Sequence, residues 1–182
     1  GAAARPDGRG CPDRIDPAQG PDPNLIGYTA DGVIHIFNLA TGVDEQVVEG
    51  ETPAFSPDGN QLAFSRGQSV WVYDLNEKQE SLLFTWNLDS ADERMWLNSL
   101  DWSPDGSKIS YVKVIYSKKD GGKIETVGYL DPIHKTQFQL EEGSFIWQAT
   151  WSPDGRLLTY VRNPVWENAE LVISDPSNEC IV

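Results

Sequence analysis

One turn sequence recurs along the chain and limits what it can fold into. The tetrapeptide Ser-Pro-Asp-Gly occurs three times at nearly equal spacing. Each copy follows an aromatic residue (Phe55, Trp102 or Trp151) and precedes a short run of alternating apolar residues. Three matches of this length indicate an internal repeat. The repeated turn residues are Ser56, Pro57, Asp58, Gly59, Ser103, Pro104, Asp105, Gly106, Ser152, Pro153, Asp154 and Gly155.

The chemistry of this tetrapeptide is that of a tight turn between two strands. Proline presets the backbone at the second turn position, and glycine accepts the conformation that a Cβ would obstruct. The Ser and Asp side chains can bond to nearby backbone amides. The chain also contains seven Trp, six Tyr and six Phe against a single Met, a balance that favours strands. Each copy therefore predicts a β-hairpin.

A fourth, degenerate copy precedes these three. Residues 21–24 (Pro-Asp-Pro-Asn) align with residues 57–60 (Pro-Asp-Gly-Asn), and the alignment continues without a gap through two further strands. Each unit contains about four short alternating runs separated by polar turns, which is typical of a propeller blade. We predict an N-terminal extension over 1–20 that offers a closing strand. A propeller follows over 21–182, with blades at about 21–50, 51–96, 97–142 and 143–182.

The aromatic-Ser-Pro-Asp-Gly turn followed by a strand resembles the TolB-like repeat, a relative of the WD-like β-propeller repeat. The resemblance covers about residue 24 to the end of the chain. It implies an all-β propeller, and propellers of this kind usually have six or more blades. The four repeats of this chain instead predict a propeller of four four-stranded blades, and the alternative is a partial segment of a six- to eight-bladed propeller. Such blades occur in periplasmic translocation proteins and in prolyl-oligopeptidase-type enzymes, so the repeat does not specify a function.

The two cysteines, Cys11 and Cys180, lie near opposite ends of the chain. An even count at the termini predicts a disulfide that joins the first blade to the last. The alternative is a pair of unbridged thiols. A disulfide indicates an oxidising compartment, so we expect an extracellular, periplasmic or cell-surface protein.

The charge balance excludes some partners. Lys and Arg number 14 against 28 Asp and Glu, a net charge of -14. Nucleic acid requires clusters of basic residues, and an anionic membrane surface repels such a chain. No apolar run approaches the roughly 18 residues needed for a transmembrane helix. We expect neither a nucleic-acid partner nor a membrane span.

No catalytic constellation is visible in the sequence. His35 lies in a predicted strand and His134 in a predicted turn, and neither has neighbours at metal-ligand spacing. The chain contains no Gly-x-Ser-x-Gly elbow, phosphate loop or His-Glu-x-x-His helix. We therefore predict no catalytic residue, no cofactor and no metal.

Three cations occupy equivalent repeat positions: Arg66, Lys113 and Arg162. Equivalent positions in a propeller lie on a circle around the axis, so these cations could form a shallow site for an anionic small ligand. The alternative is that each cation pairs with an acid of a neighbouring blade.

Three tryptophans fall outside the repeat pattern: Trp86, Trp96 and Trp166. Two of them bound an irregular segment, residues 86–96, which we predict to be a loop; the third lies in a second one, residues 163–168. Out-of-pattern Trp is enriched at interfaces and sugar-stacking sites. The alternative is that these side chains plug the ends of the core.

Together these features predict a non-catalytic, extracytoplasmic binding or scaffold module that mediates protein–protein interaction or self-assembly. Two alternatives stay open. One is the propeller domain of a larger secreted or periplasmic enzyme of prolyl-oligopeptidase type, and the other is a propeller that binds a small ligand or anion.

Overall fold

A computed structural model describes residues 22–163, 169–176 and 180–181. These residues form four antiparallel sheets whose strands pair in sequence order. The first sheet contains β1 (Leu25–Ala30), β2 (Val33–Asn38) and β3 (Val43–Glu49). The second contains β4 (Glu51–Phe55), β5 (Gln61–Arg66), β6 (Ser69–Asp74) and β7 (Gln79–Thr85). The third contains β8 (Glu93–Trp102), β9 (Ile109–Ser117), β10 (Lys123–Asp131) and β11 (Thr136–Gly143). The fourth contains β12 (Ile146–Trp151), β13 (Leu158–Arg162), β14 (Glu170–Asp175) and β15 (Cys180–Ile181).

The first sheet has three described strands where the other sheets have four. Its β1 aligns in sequence with β5, so the strand that would correspond to β4 falls before residue 22. The predicted closing strand within residues 1–20 therefore lies outside the described residues.

The Ser-Pro-Asp-Gly segments form the turns between the first and second strands of the last three sheets. In the second sheet, Ser56 Oγ donates to Asp58 Oδ1 at 2.6 Å and accepts from the Gln61 amide at 2.9 Å. The same two bonds recur at Ser103 and at Ser152. The turn glycines all adopt positive φ, 72° at Gly59 for example, which explains their recurrence.

The sheets pack face to face. We call each interface between two neighbouring sheets a joint, and every joint uses equivalent strand positions. We call the face that carries Val70 in the second sheet the forward face, and the face that carries Leu62 and Phe64 the rear face. The forward residues Ile34, Val70 and Val127 occupy the same strand register in the first three sheets. Each one shares an apolar cluster with rear residues of the following sheet. Those rear residues are Leu62 and Phe64, Ile109 and Tyr111, and Leu158 and Tyr160.

An indole hydrogen bond reinforces two of the three joints. Trp102 Nε1 donates to the Ala54 carbonyl at 3.1 Å, and Trp151 Nε1 donates to the Asp101 carbonyl at 3.2 Å. At the first joint the equivalent residue is Phe55, whose ring lies against Gly27. The aromatic residue before each turn therefore packs its own sheet onto the previous one.

The sheets contact one another in series, through β1 and β4, β4 and β8, and β8 and β12. Within the described residues, the first and fourth sheets make no extended contact with each other. The described part of the chain is thus an open series of four sheets, and closure into a four-bladed ring stays a prediction.

One local expectation is wrong. Residues 86–96 are not a loop throughout, because β8 begins at Glu93 and pairs with β9 from there. Met95 and Leu97 face inward and alternate with the exposed Arg94, Trp96 and Asn98, and this pattern extends the first strand of the third sheet beyond those of its neighbours.

Candidate functional site

A cleft of about 390 Å³ opens where the first three sheets meet. The first two sheets contribute hairpin glycines and the junction between β3 and β4, and the third contributes the beginning of β8. The side chains that shape the cleft are Glu49, Glu51, Ser65, Arg66, Met95 and Trp96. Its volume lies within the range of small-molecule and peptide pockets, roughly 300–1,000 Å³.

Three glycines line this cleft. Gly32 and Gly67 form the β1–β2 and β5–β6 turns with φ of 77° and 58°, and a Cβ on either would meet nothing within 4 Å. Gly50 differs, since a Cβ there would lie 2.5 Å from Phe64 Cδ2. Glycine at this position allows the first two sheets to approach each other where the chain passes between them.

Arg66 forms one wall of the cleft with its charge already neutralised. Its guanidinium donates to both carboxylate oxygens of Glu80, at 2.9 and 2.7 Å, and to the Glu49 carbonyl, at 3.0 and 2.8 Å. The side chain also lies over the Trp71 ring, 5.1 Å from its centroid. The hydrogen bond to Glu80 raises the pKa of Arg66 and lowers the pKa of Glu80. Arg66 is therefore held rigidly and offers little to an incoming anion.

The other two cations also have surroundings of their own. Arg162 donates to Glu141 at 2.7 Å and to Glu170 at 2.9 Å, and these acids raise its pKa, Glu141 most. Lys113 is buried with Nζ 5.9 Å from the Trp86 ring; burial lowers its pKa, and the charge of Glu142 opposes that shift. The structure places each cation against local partners, and no described contact unites the three in one anion site.

The out-of-pattern tryptophans have different environments. Trp86 is buried, packs edge-on against Phe84 and Tyr111, and donates Nε1–H to Gln137 Oε1. Trp96 is 37% exposed on the wall of the cleft, and its Nε1 donates to Asn98 Oδ1 at 2.9 Å. Trp166 lies outside the described residues. Of the described pair, Trp96 is placed to meet a ligand, whereas Trp86 serves the core.

Sequence reasoning did not find the acidic and glycine walls of the cleft. Glu49 and Glu51 flank Gly50 at the junction of two sheets, and the repeat spacing carries no signal for them. The available signal was weak: three glycines, Gly32, Gly50 and Gly67, at turns or junctions of the first two repeats.

Each of the two histidines lies beside an aspartate. His35 stacks on Tyr28 and lies 3.2 Å from Asp44 Oδ2, on the rear face of the first sheet. His134 contacts Asp131 within a turn.

Cys180 belongs to β15, and Cys11 lies outside the described residues, as does the predicted disulfide. Within the described ranges, no group of three or more His, Cys, Asp or Glu side chains could hold a metal ion, and no helix is long and apolar enough to cross a bilayer.

Comparison with known proteins places the fold in a wider group. No protein-family model matches the chain. Protein transport protein sec13 of Aspergillus clavatus is 28% identical over 103 residues, which cover 55% of this chain and 34% of that protein. Among solved structures, TolB from Acinetobacter baumannii superposes with a TM-score of 0.61 at 23% identity. An oligogalacturonate lyase from Vibrio parahaemolyticus superposes with a TM-score of 0.65 at 12% identity.

The chain is much shorter than these neighbours. The two superpositions each include 87% of this chain but only 40% of the TolB chain and 47% of the lyase chain. An acylaminoacyl peptidase from Pyrococcus horikoshii is covered to 29%, with a TM-score of 0.60 and 18% identity. Identities this low show the fold alone. That fold is of the β-propeller type.

Proposed function

We propose that this chain is a non-catalytic, extracytoplasmic module that binds a segment of another polypeptide in the cleft of the first three sheets. The observation that carries the proposal is the exposure of Trp96, an out-of-pattern indole, on the wall of a cleft built by three sheets. Trp is enriched among the residues that dominate binding energy at protein interfaces.

The surroundings of Trp96 indicate the chemistry of the partner. The hydrogen bond to Asn98 orients the indole, and the neighbouring Met95 supplies an adaptable apolar contact. Glu49 and Glu51 are exposed beside them, whereas Arg66 is neutralised by Glu80. The cleft therefore favours a segment with an apolar or aromatic side chain next to a Lys or Arg, and electrostatic attraction speeds its encounter.

A displayed peptide library, selected on the intact protein and then on Trp96→Ala, tests this proposal. We expect peptides rich in basic and apolar residues whose affinity falls at least about tenfold on Trp96→Ala, since truncated anchors cost 1–2 kcal/mol or more. Phe138→Ala is the matched control, because Phe138 is an aromatic residue of similar exposure, 44%, that belongs to β11 and does not line the cleft. Peptides that bind both variants alike would refute the cleft as the binding site.

The same peptides test the non-catalytic assignment. After long incubation with the protein, we expect their masses to be unchanged in mass spectrometry. Cleavage that persists after repeated purification would contradict the assignment.

A second candidate function is the propeller part of a larger secreted or periplasmic enzyme. It is favoured by the neighbours whose names denote peptidases, such as the acylaminoacyl peptidase of which this chain covers 29%. Peptidase activity in the gene product purified from its natural source, measured with acyl-peptide and prolyl substrates, would support this candidate over the first.

The location outside the cytoplasm is tested by the predicted Cys11–Cys180 disulfide. Thiol titration of the denatured natural protein should find no reactive thiol before reduction and two after it, because oxidising compartments preserve such bridges. Two free thiols in unreduced protein would overturn this location.

A further inference from the structure

The two end sheets expose residues at positions that are core positions everywhere else in the molecule. At the forward position, Ile34, Val70 and Val127 are all 0% exposed, whereas Leu171 of the fourth sheet is 68% exposed. The strand register proves the equivalence, since Leu171 pairs with Val161 as Val70 pairs with Ser65 and Val127 with Val112.

The rear face of the first sheet shows the same anomaly. Ile26 and Tyr28 align with Leu62 and Phe64, which are fully buried, and so are the corresponding residues of the third and fourth sheets. Ile26, by contrast, is 46% exposed. The difference arises because no sheet precedes the first one within the described residues.

The two exposed positions are complementary to each other. Inside the molecule, a forward residue always clusters with a rear pair: Ile34 with Leu62 and Phe64, and likewise at the next two joints. A fourth joint of this kind would place Leu171 against Ile26 and Tyr28. Among the residues that the structure describes, the first and fourth sheets make no extended contact, so neither face is covered by the other.

We infer that a second copy of this chain covers both end faces, with each fourth sheet packed on the partner's first sheet to close one ring of two chains. The joint continues the interface already repeated three times in the molecule. A head-to-tail contact gives a closed ring only when its rotation closes, and two copies form the smallest such ring.

Light scattering on the intact chain, over a range of concentrations, tests the inference. With reductant present to open any Cys11–Cys180 bridge, we expect a species of twice 20.2 kDa at high concentration that dissociates on dilution. Leu171→Lys and Ile26→Glu should each weaken the association at least about 100-fold, because each places an unpaired charge in an apolar joint. Ile133→Glu is the matched control, since Ile133 is 78% exposed in a turn away from both end faces.

Mixing the two charged variants tests the geometry. A Leu171→Lys chain paired with an Ile26→Glu chain has one native joint and one joint of opposite charges, so the mixture should recover the dimer that neither variant forms alone. Circular dichroism should show that both variants remain folded, since both positions are exposed in the single chain.

Three results would overturn the inference. One is a monomer at every concentration, as expected if further sheets of a longer chain or a different protein cover these faces. Another is a dimer that survives both substitutions, and the last is an open-ended series of larger species. Peptide binding at the Trp96 cleft is a separate readout, so the two proposals can fail independently.

Discussion

The interior joints and the end faces of this molecule are built from the same residue types with opposite degrees of burial. Val70 and Val127 are sealed between sheets, whereas Leu171, at the equivalent position, is largely exposed to solvent. Local sequence and strand register are alike at all three. Whether a residue at this position is buried therefore depends on the neighbouring sheet and not on the residue itself.

The largest expected effect is a difference in the free energy of unfolding. It should appear when an isoleucine is truncated at an interior joint and, for comparison, at an end face. Ile109→Ala should lower the free energy of unfolding by about 2–5 kcal/mol, because it leaves a cavity in a packed joint. Ile26→Ala should cost less than about 1 kcal/mol, because its side chain is half exposed. Urea denaturation of both variants in the Leu171→Lys background checks this. Equal losses would show that the rear face of the first sheet is covered within the monomer.

The indole hydrogen bonds offer a second test of the interior joints. Trp102→Phe removes the donor to the Ala54 carbonyl, and we expect a loss of about 1–2 kcal/mol from the unpaired, part-buried acceptor. Trp96→Phe removes an indole hydrogen bond in an exposed place, to Asn98 Oδ1, and should leave the unfolding free energy within about 0.5 kcal/mol of wild type. If both substitutions are neutral, packing and not the hydrogen bond holds the joint.

Protonation of Asp101 should affect the stability of the joint between the third and fourth sheets. It accepts from Thr150 Oγ1 at 2.8 Å across the two sheets, and burial raises its pKa despite this bond. A raised pKa means that the folded state prefers the protonated acid, so this contribution to stability is lost as pH rises through that pKa. Asp101→Asn should therefore become more stable relative to wild type as the pH rises from acidic to neutral. Thermal unfolding at several pH values measures this gain, and a constant difference would contradict it.

The contribution of Asp58 to folding stability should depend on pH in the opposite direction and more weakly. The hydrogen bond from Ser56 lowers its pKa, so its contribution is present above the ordinary Asp value and is lost as pH falls through the lowered pKa. We expect Asp58→Asn to cost less than about 1 kcal/mol at neutral pH, because solvent screens a surface turn. The cost should vanish in acid; a cost that persists there would assign the effect to turn geometry alone.

Much of the fold could be predicted from the repeat. Each Ser-Pro-Asp-Gly copy forms the predicted β-hairpin, between β4 and β5, β8 and β9, and β12 and β13, since alternating apolar residues and these turns are local signals. The candidate site was less predictable. Trp96 was identified as out of pattern, yet the segment that carries it is partly strand, and nothing local distinguished it from the buried Trp86.

The turns, the strand alternation and the equivalence of the repeats can all be read from the amino-acid sequence alone. These depend on backbone dihedrals and on hydrogen bonds between residues close in the chain, such as the 2.6 Å bond within each turn.

Which of the equivalent residues are buried by a neighbouring sheet depends on the tertiary structure. It paired Arg66 with Glu80 and Arg162 with Glu141, it joined three sheets around one cleft, and it left Leu171 in solvent. These outcomes depend on contacts between residues far apart in the chain, and repeat spacing does not encode them because every copy carries the same local pattern.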